Sequence, residues 1–131
     1  MVGLCWLLPI KRFMTLPISL IGILPFVIGL GIAKRGSDLF EKKGTNIETF
    51  GNPGMLITND LYQISRNPMY LGFLIALFGL FILLGCLSSL FAVIVFFIIT
   101  DRWYIEFEEA AMAKAFGHEY VNYKTRTRRW L

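Results

Sequence analysis

The sequence predicts an all-α, polytopic membrane protein with about three transmembrane helices, a short N-terminal hydrophobic stub and a cytoplasmic C-terminal helix extension. Of the 131 residues, 56% are hydrophobic and 17% are charged, and the mean hydropathy is +0.61. Two stretches carry no charge at all, 21 residues at 13–33 and 34 residues at 67–100. This distribution excludes a soluble single domain, a disordered chain and a disulfide scaffold.

The first apolar segment, residues 3–10, is too short to cross a membrane. As a helix it would span ~12 Å, against a hydrocarbon core of ~30 Å. Lys11 and Arg12 follow this segment, whereas a signal peptide carries its positive charges before the apolar run. We therefore expect the stub to stay in the protein as an interfacial or re-entrant piece. A first helix at 13–36 should follow, kinked by prolines and packed against other helices.

Residues 37–67 are predicted to form a cytoplasmic loop, because glycine, asparagine and proline turn signals are concentrated there. The charge-free run that follows would be ~51 Å long as one helix, so it must fold back on itself near Gly85. This predicts a hairpin of helices at 68–84 and 87–117, the second leaving the membrane as an amphipathic extension. A basic tail at 118–131 completes the chain, which should form one domain.

The basic residues predict the orientation. With three crossings, Lys11 and Arg12 lie on one side of the membrane and the other 11 lysines and arginines on the opposite side. The positive-inside rule then places the loop 34–67 and the C-terminal end in the cytoplasm, in an integral protein of the inner or plasma membrane. Because the net charge of +4 comes from these juxtamembrane clusters, we expect the lipid bilayer as a partner and no nucleic acid.

The cysteines and the histidine predict no metal site. Cys5 and Cys86 lie in apolar runs, and neither has a second Cys or a His at the spacing of metal ligands. We expect both to be small buried or lipid-facing hydrophobic side chains. His118 is the single histidine, which leaves little scope for a His-based metal site or a Ser-His-Asp triad.

Two polar stretches flank the predicted hairpin. The first reads Tyr-x-x-x-Arg-Asn-Pro-x-Tyr-x-Gly at 62–72. The second reads Glu-Glu at 108–109 and then Phe-Gly-x-Glu-Tyr-x-x-Tyr at 116–123, with closing arginines. This ordered set resembles the integral-membrane methyltransferases of the isoprenylcysteine carboxyl methyltransferase and phospholipid methyltransferase group. The resemblance covers residues 44–131, about two-thirds of the chain.

The resemblance implies S-adenosylmethionine as the cofactor, bound at the cytoplasmic membrane face between the start of the hairpin and the helix extension. Pro68 and Tyr70 match the group's Arg-His-Pro-x-Tyr cofactor motif, with Arg66 at its start and Gly72 after it, and Glu108 and Glu109 match the group's paired glutamates. Asn67 stands at the position of the motif's histidine, and we expect it to belong to the cofactor site as well. Gly72 would allow a close approach of the backbone. Many members of the group have His where this chain has Asn67. An asparagine side chain can form hydrogen bonds, but unlike histidine it cannot take up and release a proton.

The chemistry of the residues agrees with this cofactor. Its ammonium needs a carboxylate, from Glu108 or Glu109, and its carboxylate needs a cation, from Arg66 or Arg128. Its sulfonium is stabilised by aromatic faces, for which the candidates are Tyr62, Tyr70, Tyr120 and Tyr123. The catalytic candidates are Arg66, Glu108 and Arg128.

The predicted function is therefore methyl transfer to a lipid-soluble or prenyl- or lipid-anchored acceptor that reaches the site from the bilayer. Such an in-line displacement depends on alignment and on exclusion of water. Two alternatives stay open: an NADPH-dependent membrane reductase that shares the same C-terminal motif, and a small non-enzymatic membrane subunit. In the second, the arginines are only membrane anchors and the glutamates form a solvated helix face. A homo-oligomer is compatible with the sequence.

Overall fold

The computed structural model describes residues 1–8, 16–44 and 54–131. This part of the chain is helical and contains no β-strand, so the predicted all-α class is confirmed. Its α-helices are α1 (Val2–Leu7), α2 (Ile23–Lys42), α3 (Pro68–Leu84), α4 (Leu87–Ile99), α5 (Ile105–Phe116) and α6 (His118–Arg126). The 3-10 turns Ile18–Gly22 and Asp60–Gln63 precede α2 and α3, and the π-helical turn Thr100–Tyr104 joins α4 to α5.

Helix α2 is longer than the sequence predicts. It continues past the predicted end at 36 to Lys42, so the loop that follows begins later than residue 37. Residues 34–42 contain no proline, and Lys42 lies in the last turn, where a positive charge interacts favourably with the helix dipole. The helix ends before Gly44, whose φ of +63° is not helical. Glycine adopts this conformation without strain. The predicted helix start at 13 lies outside the described residues.

The apolar hairpin has the predicted form. Helix α3 occupies the predicted range, and Pro68 stands in its first turn, where a backbone N–H is not needed. Gly85 ends the helix with a φ of +58°, and its N–H donates to the carbonyls of Phe81 and Ile82, both at 3.1 Å. Helix α4 begins two residues later, at Leu87. The turn expected near Gly85 is therefore confirmed.

Helix α4, the π-helical turn and α5 form one uninterrupted helical run, as predicted for 87–117. The run ends at Phe116, and Gly117 follows with a φ of +53°. The predicted basic tail at 118–131 needs a correction, because its first nine residues form α6. This helix is amphipathic: Tyr120 and Tyr123 are buried on one side while its basic residues stay exposed.

One helical segment, Ile18–Lys42, is long and apolar enough to cross a membrane. Helix α3 is apolar but shorter, at 17 residues. The described residues therefore provide one candidate span by length and composition, where the sequence predicts about three.

Helices α2 and α3 run antiparallel in close backbone contact. A Cβ atom added to Gly72 would lie 2.5 Å from the backbone nitrogen of Ala33 and 2.6 Å from the carbonyl oxygen of Gly29. The contact extends along both helices through Gly22 against Gly79 and Gly36 against Met69. Small residues permit this approach, as is common between membrane helices. The end of α2 is thereby placed beside the start of α3.

The two cysteines are not separate hydrophobic side chains, which corrects the expectation from the sequence. Cys5 and Cys86 form a disulfide, with their Cα atoms 5.9 Å apart. The sequence gives no sign of this pairing because the two residues are separated by 81 positions, and they meet only once α1 packs on the start of α4.

The glycine contact predicts a difference between two alanine substitutions. Gly72→Ala should lower the thermal unfolding midpoint in detergent, at a cost of about 2 kcal/mol, because the added methyl group overlaps the backbone of α2. Gly31→Ala is the matched control, because a Cβ there meets nothing within 4 Å. It should leave the midpoint unchanged or raise it slightly, since alanine favours the helix. Equal midpoints for the two variants would contradict the close contact.

Candidate active site

The two motifs that flank the hairpin meet at its open end. The hydroxyl of Tyr70, in the first turn of α3, donates a hydrogen bond of 2.8 Å to Oε1 of Glu108 on α5. The Tyr70 ring also packs against the ring of Tyr104, with the centroids 6.5 Å apart. Residues that are 38 positions apart in the sequence therefore share one polar site.

The carboxylate of Glu109 is the centre of an ion cluster. Its side chain is only 10% exposed and lies 3.1 Å from Nη1 of Arg66. Arg129 donates to it twice, from Nη2 at 2.9 Å and from Nε at 3.2 Å, and Nζ of Lys124 lies at 3.3 Å. Three cations from three different segments thus surround one buried carboxylate.

The cluster shifts the pKa values of its acids. Burial alone would raise the pKa of Glu109, but the hydrogen bonds from Arg129 and the charge of Arg66 outweigh it and lower that pKa. For Asp101, burial is likewise outweighed by hydrogen bonds from Trp130 and Arg129, so its pKa is also lowered. Both carboxyl groups are therefore held in their charged forms.

Arg66 is buried but incompletely bonded. Its side chain is 10% exposed, and Nη1 is within ion-pair distance of Glu109. Nevertheless, neither Nε nor Nη1 makes a hydrogen bond of good geometry to any residue that the structure describes. Buried donors normally find an acceptor. Nη1 has the carboxylate of Glu109 as its ion-pair partner, and Nε is the buried donor that no described residue accepts from.

The C-terminal segment after α6 crosses the start of α3 and holds it in place. The backbone N–H of Arg66 donates to the carbonyl of Arg128 at 2.9 Å. The carbonyl of Arg129 accepts from the side chains of Ser65 at 3.2 Å and Asn67 at 3.0 Å. The amide of Asn67 is thus used to fix the backbone, a role in which proton exchange has no part.

The C-terminal segment also forms hydrogen bonds with the π-helical turn. Nη1 of Arg129 donates to Oδ1 of Asp101 at 3.2 Å, and the indole N–H of Trp130 donates to the same oxygen at 2.9 Å. The Trp130 ring packs against Phe97, with the ring centroids 5.2 Å apart. Arg129 therefore bridges two acids, Asp101 and Glu109.

Three of the predicted tyrosines form a hydrophobic cluster beside the ions. Tyr62, Tyr120 and Tyr123 are buried together with Ile57, and the Tyr123 hydroxyl donates to the Tyr62 carbonyl at 2.6 Å. Burial, reinforced by the charge of Glu109, raises the pKa of Tyr120 to about 12. Burial likewise raises the pKa of Tyr62 and Tyr123.

The structure thus brings most of the predicted site residues to one end of the hairpin. The residues placed there are Tyr62, Arg66, Asn67, Pro68, Tyr70, Glu108, Glu109, Tyr120 and Tyr123. Gly72 does make a close backbone approach, but its partner is α2, so its role in cofactor binding stays a prediction.

The neighbouring arginines Arg128 and Arg129 differ in what their side chains contact. The side chain of Arg128 is exposed, and only its backbone carbonyl contributes to the cluster, so its catalytic role stays a prediction. Arg129 makes the ion pairs instead, together with Asp101, which sequence reasoning did not select. The arginines at the end of the sequence indicate that a cation contacts the acidic residues, but the sequence does not show which arginine side chain faces them.

Fold and site together define an α-helical membrane protein with a polar, partly buried site where an apolar hairpin opens. The model of the phospholipid methyltransferase family matches residues 18–119, and the chain belongs to this family.

Two relatives illustrate the match. The chain is 40% identical over 73 residues to protein-S-isoprenylcysteine O-methyltransferase B of Arabidopsis thaliana. That alignment covers 54% of this chain and 36% of the plant protein, so the chain spans about a third of that relative's length. It is 36% identical over 63 residues to an uncharacterized protein of Haemophilus influenzae, covering 48% of this chain and 100% of that protein. No solved structure matches the chain. These matches favour a methyltransferase and neither of the two alternatives.

The ion cluster predicts opposite results for two neighbouring arginines. Arg129→Ala should lower the free energy of unfolding by about 2 kcal/mol, because it leaves Asp101 and Glu109 without their shared cation. Arg128→Ala is the matched control and should change it by less than about 0.5 kcal/mol, since that side chain is exposed. Thermal or chemical unfolding in detergent measures both. A larger loss for Arg128→Ala than for Arg129→Ala would overturn the assignment.

The lowered pKa of Glu109 predicts a loss of stability in acid. A carboxyl group whose pKa is lower in the folded state stabilises the fold fully above its ordinary value of 4.5. This contribution disappears as the pH falls through the lowered pKa. Glu109→Gln should therefore be less stable than the unmodified protein at neutral pH and lose less stability on acidification to about pH 3. The exposed Glu106→Gln, on the same helix, should keep the acid dependence of the unmodified protein.

Proposed function

We propose that this protein catalyses S-adenosylmethionine-dependent methyl transfer to a lipid-soluble or lipid-anchored acceptor at the cytoplasmic face of the membrane. One observation carries the proposal. In a chain of the phospholipid methyltransferase family, the hairpin brings Tyr70 and Glu108 into hydrogen-bond contact and so joins the two polar motifs into one site. The residues of that site match the chemistry of the cofactor.

The donors and acceptors fit the cofactor's amino acid part. Arg66 offers its buried Nε–H to a carboxylate, and Glu108 offers a carboxylate to an ammonium group. The nearby tyrosine rings offer the π faces that stabilise a sulfonium. When bound, the cofactor supplies an electrophilic methyl group. Pro68, between Arg66 and Tyr70, fixes the start of α3 and hence the separation of these two side chains.

The remaining residues orient the site and exclude water from it. Glu109, held by Arg129 and Lys124, fixes the guanidinium of Arg66. Trp130 packs on Phe97 of α4 and donates its indole N–H to Asp101 of the cluster. Methyl transfer is an in-line displacement, so alignment in a site that excludes water supplies most of the catalysis. Arg128, whose side chain is exposed, is placed to meet an anionic acceptor.

Three membrane crossings are part of the proposal. The segment Ile18–Lys42 is the first, and α3 and α4 provide the second and third, with their polar ends in the interfaces. The positive-inside rule then directs the site to the cytoplasm, in the inner or plasma membrane. Large apolar side chains on α4 are exposed, including Phe91 at 64% and Ile98 at 52%. They suit lipid contact, and an acceptor would reach the site sideways from the bilayer.

The acceptor is a molecule with an apolar anchor. The plant relative is named for O-methylation of protein S-isoprenylcysteine, and a prenylated cysteine carboxylate is the acceptor we favour. A phospholipid amine and a lipid-soluble thiol are the other chemical classes that a site open to the bilayer admits. A homo-oligomer stays a prediction.

Calorimetric titration of the purified protein in detergent with S-adenosylmethionine tests the cofactor. Glu108→Gln and Arg66→Gln should each weaken binding by about 10- to 100-fold, because each removes a charge-assisted hydrogen bond. Glu106→Gln is the control on the same helix and should bind like the unmodified protein. Absence of binding by the unmodified protein would defeat the proposal, and a thermal shift with NADPH in place of S-adenosylmethionine would favour the reductase. Extraction of lipids after incubation of membranes with methyl-labelled cofactor identifies the acceptor class.

A further inference from the structure

The disulfide lies at the end of the molecule that the site does not occupy. Cys86 connects α3 to α4, and the site residues Asn67 and Tyr70 stand at the opposite end of α3. The 17 residues of α3 separate the two ends by about 25 Å. Helix α4, which begins beside Cys86 and leads to Asp101 in the ion cluster, separates the two ends by about 20 Å.

The disulfide end is apolar, and Cys86 is buried within it. None of the residues 1–8, 16–22 and 84–89 carries a charged side chain. Cys86 is 2% exposed, and the hydroxyl of Ser88 lies 2.8 Å from its sulfur. The same hydroxyl donates to the carbonyl of Leu4 at 3.3 Å, so α1 is held to the start of α4 by a hydrogen bond as well as by the covalent bond.

The disulfide adds an independent argument about the two sides of the membrane. Disulfides persist in oxidising compartments and are rare in the cytosol, where thiols are kept reduced. Eleven of the 13 lysines and arginines belong to residues 34–129, which include the ion cluster at the other end. Basic residues favour the cytoplasmic side. Charge and cysteine chemistry therefore agree that the two ends of the hairpin lie in different compartments.

We propose that Cys5 and Cys86 are a modification site, oxidised after insertion on the non-cytoplasmic face of the membrane by the oxidised dithiol of a thiol oxidase. The thiolate of one cysteine attacks the oxidase disulfide and forms a mixed disulfide. The second thiolate displaces the oxidase sulfur, which leaves the Cys5–Cys86 bond and a reduced oxidase dithiol that holds the two protons and two electrons. The proposal rests on the orientation proposed above and is independent of methyl transfer.

The bond closes a large ring in the chain. Helices α2 and α3 lie between the two cysteines, which are 81 positions apart, so the bond restricts the unfolded chain over most of its apolar part. It also holds α1, a six-residue helix too short to be stable alone, against the hairpin. Reduction should therefore loosen α1 and lower the stability of the hairpin while leaving the ion cluster intact.

Thiol counting on the full chain in membranes tests the bond directly, because the protein has two cysteines in all. A maleimide carrying a polymer tag should add to neither cysteine in denatured, unreduced protein and to both after reduction. Cys5→Ser and Cys86→Ser should each react once without reduction. In a bacterial host without thiol oxidase activity, the unmodified protein should react twice without reduction. Two additions to the unreduced protein from the normal host would overturn the proposal.

Sidedness is tested in spheroplasts with a membrane-impermeant maleimide, in the Cys5→Ser/Cys86→Ser background. Gly3→Cys places an exposed thiol beside the disulfide position, and His118→Cys places one on the site side, at the start of α6. We expect Gly3→Cys to react in sealed spheroplasts and His118→Cys to react only after lysis, with equal labelling of both in detergent. The reverse pattern, or labelling of both in sealed spheroplasts, would overturn the proposed compartment.

Thermal unfolding measures how much the Cys5–Cys86 disulfide contributes to stability. Reduction of the unmodified protein should lower the unfolding midpoint by about 5 °C, and the same reductant should leave the midpoint of Cys5→Ser unchanged. An equal midpoint with and without reductant in the unmodified protein would show that the bond does not hold α1. Since none of these assays requires S-adenosylmethionine, their outcome separates this proposal from the proposed methyl transfer.

Discussion

The buried carboxylate of Glu109 is the interaction on which the polar end of the molecule depends. A buried charge is costly unless cations and hydrogen bonds compensate it. The compensation comes from three segments that are distant in sequence: Arg66 before α3, Lys124 on α6 and Arg129 in the C-terminal segment. Each segment must therefore pass close to α5. One acidic residue explains why the chain after the hairpin returns to the start of α3 and does not extend into the solvent.

The apolar part of the molecule sets where that polar end lies. The glycine contact between α2 and α3 brings the end of α2 beside the start of α3, and the tight turn at Gly85 returns α4 to the same level. The site is then built from helix ends, where the backbone is fixed and polar side chains reach out of the apolar layer. The Cys5–Cys86 bond fastens the opposite end. The polar cluster thus joins the start of α3 to the segment after α4, and the covalent bond holds α1 to the turn between α3 and α4.

Local signals allowed much of this to be predicted. Pro68, Gly85 and Gly117 mark helix ends that depend on their own conformational preferences, and the structure has helix ends at all three. The contact of Tyr70 with Glu108 follows from the hairpin and the order of the motifs. The inward position of Arg129 could not be predicted, because residue 127 has extended backbone angles and neighbouring side chains of an extended segment point to opposite sides. The disulfide likewise depends on the packing of α1, which no local pattern encodes.

The protonation states of the site bear on the proposed acceptor. The pKa values of three groups lie further from neutrality than their ordinary values. Those of Glu109 and Asp101 are lowered, and that of Tyr120 is raised to about 12. These groups therefore keep one protonation state near pH 7, and they bind and orient without exchanging protons. Asn67, which donates to a backbone carbonyl, has no proton to transfer either. An amine headgroup is protonated near neutral pH and must lose a proton before it can accept a methyl group, whereas a carboxylate is already ionised. A site that fixes charges in this way is better suited to an anionic acceptor, and this is the physical reason to favour a carboxylate over an amine.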